Sequence, residues 1–524
     1  MSRGSITEAF LAGAAGDGLT PPGWLRLLRS PVGSTTESTV RDPEDLGPLH
    51  EASASAAVRT RRGAWYTPAS LATDLVARAL PDRSAVGLGP VVDPACGGGV
   101  FLLAAADRLC SLGSGPAEAA ARVRGIDVDE GAVAVAEAAL WWWAARRGAD
   151  VRPDVRVGDA LLAGLGPAGT VVGNPPFLGQ LKAATTVDAD RRVALQDRYG
   201  DAVRPYTDPA WLFALAAVEQ VVPGGRVALV QPQSFLAARD AASIRARIDA
   251  RADLVHTVVA SAGAFDAAVD VCAPVLRRRL AGAPARANDW VGALADAAGI
   301  PAVAHTTPRR LGELATVHAG FRDEYYGLVD AVSEAAGHGD RPQLVTAGGI
   351  DPCRLLGRGE RFAGRRWVAP VVDVTRLEGR AARWAAVQAG PKLLVATQTR
   401  VLEAVADPHG RLLGSVPVLA VRPHDPSLLW HLLAALHAPA ATAWLFRRSA
   451  GTALSADACR PTASLLAELP APVDGPAWDE AARAAQAAHE QRGSMSDVAR
   501  LADAALGVHD PQLLEWWDAR RPDR

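Results

Sequence analysis

The chain contains very few lysines and cysteines. Lysine occurs only at Lys182 and Lys392, so 53 of the 55 basic residues are arginines. The five cysteines lie far apart and form no CxxC pair, which argues against a disulfide framework and against a zinc ribbon. There is no run of about 18 apolar residues and no basic-then-apolar signal segment. We therefore expect a cytoplasmic protein with no membrane partner and no metal.

The chain also lacks a large net charge. Its 524 residues carry a formal net charge of −2, so any surface that attracts nucleic acid must be local. This length suggests about two to four domains. A hydrophobic content of 49% with 21% charged residues is that of a globular protein.

A short strand that ends in aspartate and leads into glycines is the first motif. Val91-Val92-Asp93 is predicted to be buried, and the turn Ala95-Cys96-Gly97-Gly98-Gly99 precedes a predicted helix. This order is typical of a Rossmann-like nucleotide site, in which glycines let the backbone approach a ligand. The spacing is not GxGxxG and no lysine follows, so neither a pyrophosphate nor a triphosphate site is indicated. An acid before the turn suits a ligand with a positive end, such as a sulfonium cofactor.

Two further predicted strands end in acid. A carboxylate at Asp127 could accept hydrogen bonds from both hydroxyls of a ribose. A carboxylate at Asp159 could accept one from an adenine amino group. Each aspartate alone is a weak signal because aspartate after a strand is commonly a turn residue or a helix cap. Three such strands in order are a stronger one.

The fourth strand, Thr170 to Gly173, leads into Asn174-Pro175-Pro176-Phe177. The prolines fix the backbone, so the Asn174 side chain and nearby carbonyls form a stiff set of acceptors. Acceptors beside an aromatic ring suit a planar heterocycle that carries an exocyclic amine. The alternative is a proline-stiffened loop with a core phenylalanine. Residues 182–206 are predicted to be an irregular loop over the site, and the next strand is predicted at 226–230.

The ordered motifs resemble those of the gamma-class adenine-specific DNA methyltransferases of restriction–modification and phage-defence systems. The resemblance covers about 60–285 closely and 300–475 loosely, and it adds Tyr66-Thr67-Pro68 and Phe265 to the motifs above. It implies an α/β fold: a Rossmann-like class I S-adenosylmethionine-dependent methyltransferase domain and a mixed α+β recognition domain. The implied segments are an N-terminal extension at 1–58, a catalytic domain at 59–285, a target recognition domain at 300–475 and a mildly acidic helical tail at 476–524.

The resemblance also implies site residues. The implied cofactor-binding set is Thr67, Asp93, Ala95, Cys96, Gly97, Asp127, Asp159 and Asn174. The implied catalytic set is Asn174, Pro175, Pro176 and Phe177. In this scheme Asn174 and the Pro175 carbonyl bind the target amine, while Phe177 stacks on a flipped-out base. Phe265, from a variable motif, would close the other side of the base.

An arginine cluster in the C-terminal half is the candidate DNA-binding surface. Residues 351–400 hold ten Arg or Lys against four Asp or Glu, a local net charge of +6. The cluster consists of Arg358, Arg361, Arg365 and Arg366, followed by Trp367. Arginine contacts both phosphates and guanine edges. The alternative is a solvated surface in an arginine-rich protein.

Together these features predict a monomeric, S-adenosylmethionine-dependent methyltransferase that modifies adenine in double-stranded DNA. No nuclease motif is present in the sequence, so we expect modification alone, with any restriction or defence nuclease on a separate partner. Three alternatives stay open: an RNA or protein-glutamine methyltransferase, a cytosine-N4 DNA methyltransferase, and a DNA-binding subunit with a vestigial cofactor fold.

Overall fold

The computed structural model describes residues 4–29, 34–35, 40–53, 67–177, 189–204, 207–259, 270–305, 307–320, 322–335, 341–357, 359–451 and 458–522. The chain forms two compact units, Met1–Ala293 and Leu294–Arg524. The first unit contains the strands and turns of the predicted cofactor site, and the second contains the arginine cluster. The division into four segments remains a prediction.

An eight-stranded sheet forms the centre of the first unit. Its strands are β3 Val91–Asp93, β4 Val123–Asp127, β5 Asp154–Val157, β6 Ala168–Gly173, β7 Val221–Leu229, β8 Gln231–Pro232, β9 Ala252–Val259 and β10 Val271–Arg278. The order is β5-β4-β3-β6-β7-β10-β8, and β9 pairs with β10. Strands β3 to β7 run parallel to one another, whereas β10 is antiparallel to β7, β8 and β9. A separate pair consists of β1 Gly4–Ser5 and β2 Ser34–Thr35. The predicted Rossmann-like α/β fold is confirmed.

The strand order reverses at β3. Strand β4 lies on one side of β3 and β6 on the other, so a crevice opens between the carboxyl ends of β3 and β6. Asp93 ends β3 and Asn174 directly follows β6. The topology therefore brings both residues to the part of the sheet where α/β folds bind ligands.

Helices pack around this sheet. They are Ile6–Gly16, Arg26–Arg29, Leu46–Ser53, Ala69–Ala79, Arg83–Val86, Val100–Ser111, Pro116–Ala121, Glu130–Ala145, Ala160–Ala163, Ala189–Tyr199, Pro209–Gln220, Ser234–Ala237 and Ala242–Asp249. Short 3-10 turns occur at Pro43–Asp45, Gly200–Ala202 and Arg239–Ala241. The helix Trp290–Ala297 lies at the boundary of the two units.

The tryptophan-rich helix Glu130–Ala145 is buried on nearly all sides. The Phe10 ring meets Trp141 and Trp142 edge-on, with centroids 6.1 and 5.9 Å apart. Trp142 Nε1 donates to Asp17 Oδ2 at 2.8 Å, which satisfies its one polar group. These tryptophans are core residues, and described residues between Ile6 and Leu46 help to complete the core of the first unit.

The prediction of an irregular loop at 182–206 is partly wrong. The helix Ala189–Tyr199 occupies much of this range, whereas 182–188 and 205–206 lie outside the described residues. Leu195 and Tyr199 are 6% and 2% exposed, and their spacing of four puts both on one buried helix face. The helix is otherwise polar, so its overall polarity hides this short apolar face.

Strand β7 also begins earlier than the sequence predicts. It includes Pro223-Gly224-Gly225, and the pairing register with β6 shifts between Ala168 and Thr170. Glycine is required at Gly225 because a Cβ there would lie 2.4 Å from the Gly169 carbonyl oxygen. The local irregularity lets a Pro-Gly-Gly segment remain in the sheet.

The described residues of the second unit form two four-stranded sheets and two hairpins. Its strands are β11 Ala315–Ala319, β12 Val332–Glu334, β13 Gln343–Val345, β14 Ile350–Asp351, β15 Arg354–Leu355, β16 Glu360–Phe362, β17 Arg365–Trp367, β18 Pro370–Val372, β19 Lys392–Val395, β20 Ala404–Asp407, β21 Leu412–Gly414 and β22 Leu419–Pro423. The sheet orders are β11-β22-β19-β20 and β12-β18-β13-β21, and the hairpins are β14-β15 and β16-β17. The predicted mixed α+β architecture is confirmed.

The helices of the second unit follow and separate these strands. They are Arg322–Val329, Gly379–Val387, Leu429–Leu436, Pro439–Ser449, Ala463–Ala467, Pro476–His489, Met495–Ala505 and Pro511–Asp518. Short 3-10 turns occur at Leu311–Glu313, Ala347–Gly349, Val374–Arg376 and Pro426–Leu428. Trp478 and Trp517 in the last helices are 2% and 0% exposed, so these helices pack into the unit.

Within the described ranges, no single helix is long and apolar enough to cross a membrane. One pair of segments, Pro426–Leu436 and Pro439–Ser449, passes that test only jointly and is bent by 70°.

Candidate active site

Asp93 lies directly beside the start of the asparagine motif. A Cβ on Gly173 would be 2.4 Å from Asp93 Oδ1, so only glycine allows β3 and β6 to end this close together. The Ala95 amide donates to Asp93 Oδ1 at 3.0 Å. Burial, with a smaller contribution from the Asp127 carboxylate, raises the pKa of Asp93 to about 8. A cation that binds here would favour the ionised carboxylate, as the positive end of a sulfonium cofactor would.

Asp127 fixes the glycine turn that follows β3. Its Oδ2 accepts from the Gly97 amide and its Oδ1 from the Asp129 amide, both at 2.9 Å. The Cys96 amide donates to the Ile126 carbonyl at 3.0 Å, which ties the same turn to β4. Burial raises the pKa of the Asp127 carboxyl. Each carboxylate oxygen keeps a second lone pair, so Asp127 can still accept from ribose hydroxyls.

The Cys96 side chain is buried, being 3% exposed. Burial raises the pKa of its thiol, and the Asp93 and Asp127 carboxylates raise it further. A thiol held neutral in this way is a poor nucleophile. The Cys96 backbone is part of the turn, and its predicted role in cofactor binding stays a prediction.

Asp159 follows β5 and is joined to the same edge. The Gly158 amide donates to the Asp127 carbonyl at 2.8 Å. Asp159 Oδ1 caps the helix Ala160–Ala163 by accepting from the Leu161 amide at 3.0 Å. Its Oδ2 pairs with Arg191 Nε at 2.8 Å. The carboxylate predicted to bind the adenine of the cofactor is thus held by an arginine in this structure.

One polar atom of the Asn174 side chain has a hydrogen-bond partner and the other has none among the described residues. Its Nδ2 donates to Thr67 Oγ1 at 3.0 Å, and Thr67 is itself 5% exposed. Its Oδ1 is buried and has no hydrogen-bond partner among the described residues. Thr67 therefore orients the amide, and the free carbonyl oxygen is an acceptor that is ready for a donor. Such a buried, unpaired acceptor costs about 1–3 kcal/mol unless a ligand or water satisfies it.

Phe177 differs from the predicted arrangement. Its side chain is 3% exposed and packs within the main hydrophobic core of the first unit. Pro175 is buried and Pro176 is half-buried beside it. This is the placement expected of a core phenylalanine, so stacking on a base requires that a ring face first be uncovered. The stacking role of Phe177 stays a prediction.

Two predicted site residues lie outside the described residues. They are Phe265, predicted to close the base pocket, and Arg358, predicted to bind DNA.

Sequence reasoning missed Arg191 and His50 at this edge. Arg191 lies 32 residues after Asp159, in a stretch predicted to be loop, so only the fold shows the pair. His50 Nε2 lies 3.9 Å from Asp129 Oδ2, and its Nδ1 is buried without a partner in the described part of the chain. Gly47 touches the turn as well, because a Cβ on Gly98 would be 2.4 Å from Gly47 Cα. No motif in the sequence around His50 signals this contact.

In the second unit, three of the four predicted DNA-binding arginines, Arg361, Arg365 and Arg366, lie on the hairpin β16-β17. Arg361 and Arg366 are opposite each other, and both are exposed together with Arg365. The Arg365 guanidinium lies over the Trp367 ring, 4.6 Å from its centroid. Outside the cluster but within the segment 351–400, Lys392 is buried and paired with Asp407. The exposed basic surface is therefore smaller than the net charge of the segment indicates.

Replacing Asp127 by alanine is expected to weaken cofactor binding about tenfold to a hundredfold, since a charged hydrogen bond contributes about 1.5–3 kcal/mol. The substitution removes the ribose acceptor and also releases the Gly97 amide that shapes the turn. Calorimetric titration with S-adenosylmethionine measures the effect. Asp154→Ala is the matched control, because Asp154 begins the neighbouring strand and pairs only with surface arginines in the described structure. An unchanged dissociation constant for Asp127→Ala would remove this residue from the site.

Part of the first unit matches a known protein family. Residues 49–279 match the family described as N-6 DNA Methylase, which is less than half of the 524 residues. A search of curated proteins with the sequence found no match.

Solved structures resemble the chain at low sequence identity. The type IIL restriction-modification enzyme MmeI, solved with DNA, has a TM-score of 0.54 and 12% identity, over 98% of this chain and 90% of that chain. The type IIG restriction endonuclease BpuSI has a TM-score of 0.42 and 12% identity, over 98% and 77%. The M protein of the type I restriction enzyme EcoKI has a TM-score of 0.33 and 20% identity, over 48% and 50%. The first unit has the class I S-adenosylmethionine-dependent methyltransferase fold, and residues 49–279 match the N-6 DNA methylase family.

Proposed function

We propose that the protein is a site-specific DNA methyltransferase that methylates the exocyclic amino group of adenine in double-stranded DNA. The observation that carries the proposal is the side-chain oxygen of Asn174, Oδ1, which is buried and without a partner among the described residues, while the Nδ2 of the same amide donates to Thr67. Asn174 directly follows β6, and the Asp93 carboxylate lies against Gly173 at the end of that strand. The match of 49–279 to the N-6 DNA methylase family supports the same substrate class.

The chemistry explains why an acceptor is needed here. The lone pair of an adenine amine is delocalised into the ring, so the nitrogen is a poor nucleophile. Two acceptors on its hydrogens, Asn174 Oδ1 and the Pro175 carbonyl, favour a pyramidal nitrogen whose lone pair points away from the ring. Bound S-adenosylmethionine would supply the methyl group. Holding the reacting atoms in line then provides much of the remaining rate enhancement.

The polar groups at the carboxyl edge of the sheet are suited to S-adenosylmethionine. In the proposal the carboxylate of Asp93 faces the positive methionine end, and the amide of Gly97 borders it. Asp127 accepts from the ribose, and Asp159 accepts from the adenine amine. Because Arg191 already pairs with Asp159 Oδ2, the arginine stays beside the adenine or moves away when the cofactor binds.

A base within a duplex cannot reach such a pocket, so the target adenine must be flipped out at a cost of a few kcal/mol. Phe177 would stack on the flipped base once a ring face is uncovered. Asparagine at the start of the motif favours adenine over cytosine, because cytosine-amino methyltransferases usually have serine there. The exposed arginine hairpin favours a nucleic acid over a peptide substrate.

We assign sequence-specific DNA recognition to the second unit and its hairpin β16-β17. Replacing Arg361, Arg365 and Arg366 together by alanine is expected to weaken DNA binding and to lower the slope of log K against log salt by up to about three, one for each phosphate that an arginine no longer neutralises. Cofactor binding should not change. Fluorescence anisotropy with labelled duplex DNA at several salt concentrations measures both the affinity and the slope.

Arg483→Ala is a suitable control for the hairpin variant. Arg483 is exposed on the helix Pro476–His489, in the segment with a net acidic charge, so its loss should leave the salt slope unchanged. If the triple variant binds DNA with the wild-type slope, DNA recognition does not use this hairpin.

Base-resolved sequencing of host DNA tests the proposed function. DNA from cells that carry the gene should contain N6-methyladenine at one recurring sequence, and DNA from cells without it should lack the mark at that sequence. Identical patterns from the two strains would contradict the proposal. Methyl groups on cytosine N4 at the recurring sequence would favour the cytosine alternative instead.

A further inference from the structure

Gln231 has a buried side chain with no partner. It is 0% exposed, and both its Oε1 and its Nε2 lack a hydrogen-bond partner among the described residues. A buried amide that makes no hydrogen bond is costly, and native structures leave few such groups. The neighbouring Gln233 does not share this property. Gln231 therefore has an unmet donor and an unmet acceptor that a ligand could satisfy.

Gln231 lies next to the asparagine motif. The Val230 amide donates to the Gly173 carbonyl at 3.0 Å, and Gly173 lies opposite Leu229 in the β6–β7 register. Gln231 lies two residues beyond Leu229, and Pro175, whose carbonyl is a proposed acceptor for the target amine, lies two residues beyond Gly173, so both follow the carboxyl ends of neighbouring strands. On its other side Gln231 pairs with Cys272 of β10. Gln231 is thus one strand away from the two groups proposed to hold the reacting nitrogen.

The indole N–H of Trp211 is a second buried group without a hydrogen-bond partner among the described residues, and its helix packs against the strand that begins at Gln231. Trp211 lies in the first turn of the helix Pro209–Gln220, and this helix packs against β8, which begins at Gln231. Its indole Nε1 is buried and has no partner in the described part of the chain. An indole N–H is a donor only, so it is complementary to the amide oxygen of Gln231.

We propose that Gln231 recognises the target base through a ring nitrogen next to the amino group. The Asn174 and Pro175 oxygens accept hydrogen bonds from both amine hydrogens. Gln231 can therefore act only as a donor to the base, and its Nε2–H donates to N1 or N7 of adenine. Trp211 would hold the amide oxygen and fix the direction of that donor. This inference rests on the proposed function and adds a residue that selects the base rather than one that activates it. An amide that binds adenine is a common pairing in DNA recognition.

The test uses substrates that lack one ring nitrogen. Duplexes with the sequence found by base-resolved sequencing would carry adenine, 1-deazaadenine or 7-deazaadenine at the target position. The full-length wild type should lose about tenfold to a hundredfold in single-turnover rate on one of the two analogues. Gln231→Leu, which is close in size, should lose a similar factor on adenine and nothing further on that analogue. Such non-additivity shows that the amide and the ring nitrogen interact.

Gln233→Leu is the matched control. Gln233 lies two residues further along and is 7% exposed, and its variant should discriminate against the analogue as the wild type does. Removing an unpaired buried amide should also leave the melting temperature of Gln231→Leu unchanged or higher. A lower melting temperature with unchanged discrimination would make Gln231 a structural residue and overturn the inference.

Two outcomes of the experiment with the deaza-adenine duplexes separate the role of Gln231 from the proposed function. If the wild type methylates adenine but the effects of Gln231→Leu and of both analogues are additive, a bridging water satisfies the amide and only the Gln231 inference falls. If the wild type transfers no methyl group to any adenine-containing duplex, the proposed function falls and the Gln231 inference falls with it.

Discussion

Methyl transfer by the Asn174→Ala protein is expected to be about 10²–10³ times slower than by the wild type, as for the removal of one preorganised electrostatic interaction. The substitution removes the buried Oδ1 acceptor and frees Thr67, but it opens no cavity in a strand because Asn174 lies beyond the end of β6. The loss should appear in the chemical step, since the acceptor matters most when the amine becomes pyramidal. Single-turnover transfer of a labelled methyl group to DNA measures it.

Asn174→Asp is the matched control for this prediction. Aspartate has the same shape and keeps an acceptor in the position of Oδ1, so it should retain more activity than alanine. Binding of S-adenosylmethionine should remain close to that of the wild type in the alanine variant. Near-normal turnover by Asn174→Ala would show that the motif does not hold the reacting amine.

A second large effect is expected from Lys392→Met in the second unit. Lys392 is 0% exposed and Asp407 is 3% exposed, and Nζ lies 2.5 Å from Oδ2. The Arg411 and Leu412 amides also donate to Asp407, each at 2.9 Å. Methionine would leave the aspartate buried without its counter-ion. Removing one partner of such a pair typically lowers the free energy of unfolding by about 3–5 kcal/mol.

Denaturant unfolding of the full chain, followed through the transition of the second unit, measures this loss. The double variant Lys392→Met/Asp407→Leu is the control. It removes both charges, and replacing a buried pair by apolar groups is often neutral. It should therefore be more stable than Lys392→Met alone. An unfolding midpoint for Lys392→Met equal to that of the wild type would show that the pair contributes nothing.

Much of the first unit was predictable because local sequence and tertiary structure agree there. A buried β-branched run that ends in an acid predicted β3, and a second short segment that ends in an acid predicted β4; the topology brings their ends together. Two prolines after β6 predicted the stiff turn that carries Asn174. In each case one short segment contains the strand, the stop signal and the polar group.

The remaining features depend on residues far apart in the chain. Asp159 meets Arg191 across 32 residues, and Lys392 is neutralised by Asp407, so neither charge acts as its local sequence suggests. Phe177 has the sequence context of a stacking residue, yet it packs into the core. The unpaired amide of Gln231 is invisible in the sequence, because being unpaired depends on every neighbour. Such features follow from packing, which composition and periodicity do not specify.

The most direct test of the central claim identifies the methylated nucleoside. Purified full-length protein would be incubated with labelled S-adenosylmethionine and unmodified host DNA, and the digested nucleosides would be separated by chromatography. We expect the label in N6-methyldeoxyadenosine with the wild type, and at least about a hundredfold less of it with Asn174→Ala at early times, the factor expected for one such interaction. Label in N4-methyldeoxycytidine, or no label in DNA while RNA or protein is labelled, would contradict the account.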